Sequence, residues 1–219
     1  MRLPYTDRQQ AGRALGAALQ RFAGRADVIV LALPRGGVPV GYEVAQHLHA
    51  PLDVLCVRKL GVPGHAELAM GAVASGGVRV LNHEVVGNLR LSTLSLDEVS
   101  QRERRELERR ERLYRGARPY PSLARKCVIL VDDGLATGAT MQAAVRAVRQ
   151  QHAAEVIVAV PAGPSETVGR LACDADEVLC LATPRWFSSV GQWYTHFEQV
   201  SDAQVQQLLK APQSNATGG

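Results

Sequence analysis

The sequence predicts an α/β fold in which helices cover both faces of a doubly wound, mostly parallel sheet. Three observations predict it. Short apolar runs of strand length recur along the chain, and several are continuous, as strands buried on both faces require. Stretches of helical period separate them, which implies parallel strands joined by right-handed crossovers. Apolar residues make up 46% of the 219 residues, enough for a sizeable core.

The elements follow in order. Residues 6–22 read as a helix, with Thr6 and Gln9 at capping-box spacing and Ala11, Leu15, Ala18, Leu19 and Phe22 on one face. "DVIVLAL" (27–33) is a continuous strand, and "PRGG" leads from it into a helix over 38–49. "LDVLCVR" (52–58) reads as a second strand, and "KLGVPGHAELAMG" (59–71), with its glycines and proline, as a loop. "AVAS" and "VRVLN" pair as a hairpin around Gly76 and Gly77. Ser95 and Glu98 have capping-box spacing at the head of a long charged helix that ends near Gly116. "KCVILVD", a helix over 140–152, "EVIVAVP", a short helix from Ser165 and "EVLCLA" complete the alternation. No linker, repeat or second core interrupts it, so residues 1–211 read as one domain and 212–219 as a disordered tail.

The formal charge of +4 points to an anionic partner. No run approaches the ~18 apolar residues of a membrane span, and the start lacks the apolar stretch of a signal peptide, so the expected location is the cytoplasm. Cys56, Cys127 and Cys180 sit in apolar runs and read as reduced core thiols; none of the four cysteines forms a C-x-x-C pair.

The chemistry concentrates in "VILVDDGLATGAT" (128–140). An apolar strand ends in Asp132 and Asp133, and a loop of glycines and hydroxyls leads into a helix. Ligands of open parallel sheets bind beyond the carboxyl ends of strands, and a helix start offers N–H groups and a positive dipole end to phosphate. Gly134 and Gly138 allow close backbone approach, and Thr137 and Thr140 add hydroxyl donors. Like charges repel, so the carboxylates suit hydroxyl groups or a divalent cation instead of that phosphate. A sugar with vicinal hydroxyls at one end and a phosphate at the other meets both demands, as a 5-phosphoribosyl group does. The lysine of a Walker A loop and the G-x-G-x-x-G fingerprint are absent here.

This stretch resembles the phosphoribosyl-pyrophosphate motif of type I phosphoribosyltransferases, and the order of elements from about residue 27 to 182 is similar to that family's core. It departs at Gly134, where the family usually has an aliphatic residue, and at Ala136, where a hydroxyl is common. The resemblance implies a phosphoribosyltransferase-like domain with a small hood built from the chain ends. It implies that Asp132 and Asp133 hold the ribose hydroxyls, partly through water on magnesium, and that Gly134, Ala136, Thr137, Gly138, Ala139 and Thr140 wrap the ribose 5-phosphate. Arg35, Gly36 and Gly37 of "LPRGG" stand where the family has its pyrophosphate loop, and the Pro34–Arg35 bond is where it often has a cis peptide. Arg58 and Lys59 resemble the Arg-Lys pair before its flexible catalytic loop. With Asp132 and Asp133 they form the expected catalytic set.

Pyrophosphate would leave the anomeric carbon without a covalent nucleophile. His65 and Glu67 read as surface residues, with an acid–base role left open. The acceptor is expected to be a nitrogenous base, with Trp186 and Phe187 of "TPRWFSSVGQWYTHF" as stacking faces. Residues 95–116 mix arginine with glutamate, including Glu106/Arg110, Glu108/Arg112 and Glu111/Arg115 at i,i+4. That face reads as solvated or subunit-bridging, which admits a homodimer, and its acids argue against a nucleic-acid surface. A non-catalytic sensor of phosphoribosyl pyrophosphate or a nucleotide is the alternative reading.

Overall fold

The computed structural model describes residues 3–62, 65–88 and 93–211. In chain order the elements are α1 (Arg8–Ala18), β1 (Val28–Ala32), α2 (Gly37–Leu48), β2 (Leu52–Val54), β3 (Val57–Val62), β4 (His65–Ala74), β5 (Val78–Leu81), α3 (His83–Asn88), α4 (Thr93–Arg115), β6 (Cys127–Val131), α5 (Ala139–Gln150), β7 (Glu155–Ala162), α6 (Ser165–Leu171), β8 (Glu177–Ala182) and α7 (Asp202–Lys210). A 3-10 turn, Gln20–Phe22, follows α1.

The main sheet has five parallel strands in the order β2-β1-β6-β7-β8. The chain moves outward from β1 to β2 and then returns to β6 on the other side of β1. That reversal makes the β1/β6 boundary the switch point where such sheets bind ligands. Both strands are buried throughout, and their residues alternate between two cores. Val28, Val30 and Ala32 pack with Leu15, Val38 and Val44 on one face, whereas Ile29, Leu31 and Leu33 pack with Met141 and Val145 on the other. The register pairs Ala32 with Val131, and the Leu33 N–H donates to the Val131 carbonyl at 2.9 Å. The loops after these strands therefore leave the sheet side by side.

The doubly wound α/β expectation holds, and so does the hood. Tyr5 lies beside Tyr194, its N–H donating to the Trp193 carbonyl at 2.8 Å while the Thr195 N–H donates to the Tyr5 carbonyl at 2.7 Å. α7 packs on α2 and α4, so both chain ends meet above the sheet edge.

Several local expectations need correction. The first helix is capped by Asp7, which accepts from the Gln10 N–H, one residue later than the Thr6/Gln9 spacing suggests. The run 52–58 is not one strand: it breaks after Val54, and Val57–Val62 opens a separate antiparallel sheet in the order β3-β4-β5. Most of 59–71 is therefore strand, although it reads as a loop, because register shifts at Leu60/Gly61 and Gly61/Val62 spoil the alternation. The hairpin around Gly76 and Gly77 forms as expected between β4 and β5. α3 and α7 are additions, the latter carrying a Ser201/Gln204 capping box. Among the described residues no helix is long and apolar enough to cross a membrane. The tail 212–219 lies outside the described residues.

Candidate functional site

The site is built where the loops after β1 and β6 touch. A Cβ on Gly36 would overlap the Asp133 carboxylate. One on Gly37 would sit 2.7 Å from the Val131 carbonyl oxygen and 2.9 Å from the Asp132 Cα. Side-chain atoms there would hold the loops apart, so the two glycines of "PRGG" are a condition for the loops to meet. The Pro34–Arg35 peptide is cis, as the resemblance implies.

Asp132 and Asp133 stand at the end of β6, half-buried. Asp132 Oδ1 accepts from the Asp133 N–H at 2.8 Å, and Asp133 Oδ2 accepts from Arg8 Nε at 2.9 Å. The two side chains also lie within hydrogen-bonding reach of each other, so one proton or a ligand can bridge them. Burial pushes the Asp132 carboxyl well above the usual range, and the neighbouring Asp133 charge adds to it. Burial also raises Asp133, while Arg8 pulls it back down. Two carboxylates facing one cation are an electrostatic cost that a ligand's hydroxyls or a bound cation would relieve.

Across the crevice, α5 begins at Gly138, whose φ of 74° suits glycine. No side chain caps this helix, and among the described residues nothing accepts from the N–H groups of Thr137, Gly138, Ala139, Thr140 and Met141. Ala136, Thr137 and Thr140 are exposed around that start. A row of unpaired donors at a dipole's positive end suits an anion. The loop's back is fixed by α6: Thr167 Oγ1 donates to the Ala136 carbonyl at 3.1 Å, and Arg170 Nη2 donates to the Thr137 carbonyl at 3.2 Å. Gly134 departs from the family pattern because Val190 fills the space. A Cβ there would lie 2.6 Å from Val190 Cγ1.

α1, which precedes every strand, and α7, which a long segment separates from β8, are capped by Asp7 and Ser201. α2, α5 and α6 follow β1, β6 and β7, and none has a side-chain cap. At α2 the chain answers part of the demand itself, since the Gly37 N–H donates to the Leu33 carbonyl at 3.0 Å and the Val38 N–H to the Arg35 carbonyl at 3.1 Å. The α5 start is therefore the more open of the two to an anion.

Arg8 escapes sequence reading. It enters from the start of α1, pairs with Asp133, donates to the Glu198 carbonyl at 2.9 Å and lies over the Phe197 ring at 3.9 Å. The Tyr194 hydroxyl donates to the Asp133 carbonyl at 2.6 Å. The hood is thus tied to the acidic pair by a cation and a phenol. A hollow of about 360 Å³ opens beside Asp133, lined by Arg8, Arg35, Gly36, Phe197, Gln199 and Val200.

Not every expected residue arrives here. Arg58 Nε and Nη2 donate to Glu103 Oε2 of α4 at 2.9 and 2.7 Å. Lys59 instead borders a groove of about 180 Å³ between β3–β5 and α5, together with Ala139, Gln142 and Arg146. Neighbours in a strand point to opposite faces, so the two side chains leave β3 in different directions. Trp186 is 79% exposed, with Arg185 5.6 Å from its ring, and Phe187 stacks on Trp193 at 6.0 Å. The ring that borders the hollow is Phe197. The side chains of His65 and Glu67 lie outside the described residues.

The Phosphoribosyl transferase domain family matches residues 6–194. Two Mycobacterium tuberculosis proteins, "Putative phosphoribosyl transferase Rv0571c" (strain H37Rv) and its counterpart MT0597 (strain CDC 1551), are each 50% identical over 205 residues. The match takes in 94% of this chain and 46% of each relative, so the chain spans about half the length of these relatives. The crystal structure of TT1426 from Thermus thermophilus superposes with a TM-score of 0.86 at 42% identity, over 94% of this chain and 98% of that one.

Proposed function

The chain belongs to the phosphoribosyl transferase domain family, and from that premise we propose that it moves the 5-phosphoribosyl group of phosphoribosyl pyrophosphate onto a nitrogenous acceptor, a nucleobase in our reading, with release of pyrophosphate. One observation carries the reading. The glycines after β1 bring a basic loop against Asp132 and Asp133, directly beside the uncapped start of α5. Phosphate donors, hydroxyl acceptors and a second cationic loop then meet in the order that a ribose phosphate bearing a pyrophosphate needs.

In this mechanism the N–H groups of residues 137–141 hold the 5-phosphate. Asp132 and Asp133 accept hydrogen bonds from the ribose hydroxyls, and their charge favours the positive character that develops on the ring as its bond to pyrophosphate breaks. Arg35, with the Gly36–Gly37 backbone, faces the leaving pyrophosphate. Arg8 orients Asp133, and the hollow beside Phe197 receives the acceptor. No side chain forms a covalent bond to the sugar.

Magnesium belongs to the reading. Among the described residues no group of three or more His, Cys, Asp or Glu gathers to hold a metal alone. Two adjacent carboxylates fit an ion that keeps several waters and takes its other oxygens from the ligand's phosphates. Bound there, magnesium would neutralise charge on the leaving group.

The test is incubation with magnesium, phosphoribosyl pyrophosphate and a panel of bases, reading released pyrophosphate. Base-dependent release is expected. Tight ligand binding without release on any base would overturn catalysis in favour of a sensor. One observation favours that second reading: Glu103 holds Arg58 and so competes with a leaving group for this cation.

A further inference from the structure

Arg35 has a second side. Away from the crevice it borders another hollow, of about 200 Å³, lined by Pro34, Arg35, Arg109, Arg110, Leu113, Tyr114 and Asp202. Its walls come from the loop after β1, the α4 face and the start of α7. We infer that this hollow is a second anion site, separate from the ribose-phosphate crevice, and that it takes the phosphate chain of an oligophosphate-bearing small molecule.

Three guanidiniums converge there, and the acids nearby do not satisfy them. Arg35 Nη1 lies 3.8 Å from Asp202 Oδ1, too far for a hydrogen bond, and that oxygen already accepts from the Tyr114 hydroxyl at 2.7 Å. Arg109 and Arg110 share a single carboxylate: Glu106 accepts from Arg109 Nε at 2.8 Å and Nη2 at 3.0 Å, and from Arg110 Nε at 3.0 Å. Three cations thus face two acids, Glu106 and Asp202, and most of the guanidinium N–H groups have no acceptor among the described residues. A planar fork of donors matches phosphate oxygens two at a time, so the deficit is one of multivalent acceptors. Arg109 and Arg110 keep 59% and 39% of their side chains exposed, so the N–H groups not bound to Glu106 are open to an incoming anion.

The site also gives the charged helix a task. Elsewhere on α4 the arginines go other ways: Arg102 and Arg105 are exposed, and Arg115 is buried against Asp53. At Arg109 and Arg110 the helix instead faces the loop that carries Arg35. An anion held there engages the same guanidinium that faces the crevice, so occupancy of the outer hollow reports on ligand in the inner one.

The test uses the full chain and inorganic tripolyphosphate, titrated by calorimetry with ribose 5-phosphate present at saturation. The pair Arg109→Gln and Arg110→Gln should weaken tripolyphosphate binding by about tenfold or more, since each charged hydrogen bond contributes a sizeable part of such a factor. Glutamine keeps helix propensity, so the fold is not at issue. The pair Arg102→Gln and Arg105→Gln removes the same charge outside the hollow and should change binding by no more than about twofold. Equal loss in both pairs, or none in either, overturns the site. Tighter binding of a nucleoside triphosphate than of tripolyphosphate assigns it to a nucleotide, and equal binding assigns it to free oligophosphate. Failure of ribose 5-phosphate to bind would count against the crevice reading and leave the comparison of the two arginine pairs intact.

Discussion

At the ends of β1 and β6 the chain leaves the sheet, and consecutive residues curl around one point. Along β3 it stays in a sheet, and consecutive residues part. Arg35, Gly36 and Gly37 all face the space above Asp132 and Asp133 for the first reason. Arg58 and Lys59 diverge for the second, one to Glu103 on α4 and the other to the groove along α5. A cluster of functional residue types in sequence becomes a cluster in space only where the backbone turns. Inside a strand, alternation divides it.

The largest break in this comparison should come from Gly37→Ala. The added methyl meets backbone at the end of β6, with no flexible side chain to yield. Overpacking of this kind costs roughly 1–3 kcal/mol, read as a lower thermal midpoint, and ribose-phosphate binding should fall with it. Gly169→Ala in α6 is the contrast, because a Cβ there meets nothing within 4 Å; helix propensity should stabilise it by up to about 1 kcal/mol. Equal destabilisation at both positions would show that the contact between the two loops is not what Gly37 secures.

Next in size is Asp132→Asn. The Asp132 carboxyl is raised above its ordinary value by burial and by Asp133, so its contribution to stability is full only below that ordinary value, near about pH 4. It is lost as pH rises through the raised value, where the folded state must carry a charge it disfavours. The variant should therefore melt above the wild type at about pH 8, with the gap closing as pH falls toward about 4. Thermal melts across that range read it directly, and a variant less stable at high pH would mean that Asp132 serves the fold instead of a ligand.

Arg58→Gln should cost about 1 kcal/mol, because it removes the two charge-assisted bonds to Glu103, a residue 12% exposed in its side chain, while the half-exposed arginine limits the loss. Ribose 5-phosphate affinity should not change. Lys59→Gln, at an exposed position, should leave the melting midpoint unaltered. A loss of ligand affinity in the Arg58 variant would restore it to the crevice. The smallest effect belongs to Trp186→Ala, whose ring is mostly in solvent: stability should move by less than about 0.5 kcal/mol, so any change in acceptor affinity is then a binding effect.

What the sequence discloses follows the same rule. Asp132, Asp133 and the start of α5 are legible because strand end, loop and helix start are contiguous, and each carries its own local signal. Arg8 is not, since 125 positions separate it from Asp133 and nothing local marks it as a partner. β3 and β4 are hidden by Gly61 and by the bulges around it, which mimic a loop. α7 carried a readable signal in Ser201 and Gln204, and its capping box forms as that spacing specifies. Of the glutamate–arginine pairs on α4, Glu106–Arg110 forms, but Arg115 turns inward to Asp53 with bonds of 2.9 Å, a buried partner that helix periodicity cannot name.

If the two loops and the acidic pair make one ligand site, binding of phosphoribosyl pyrophosphate should need both carboxylates. Calorimetric titration of phosphoribosyl pyrophosphate with magnesium, onto the wild type and onto the double variant Asp132→Asn/Asp133→Asn, tests it most directly. Saturable binding is expected in the wild type, and loss of most of that affinity in a double variant that still unfolds in one cooperative transition, even where loss of the Arg8 pair lowers its midpoint. Undiminished affinity in the folded variant would contradict it.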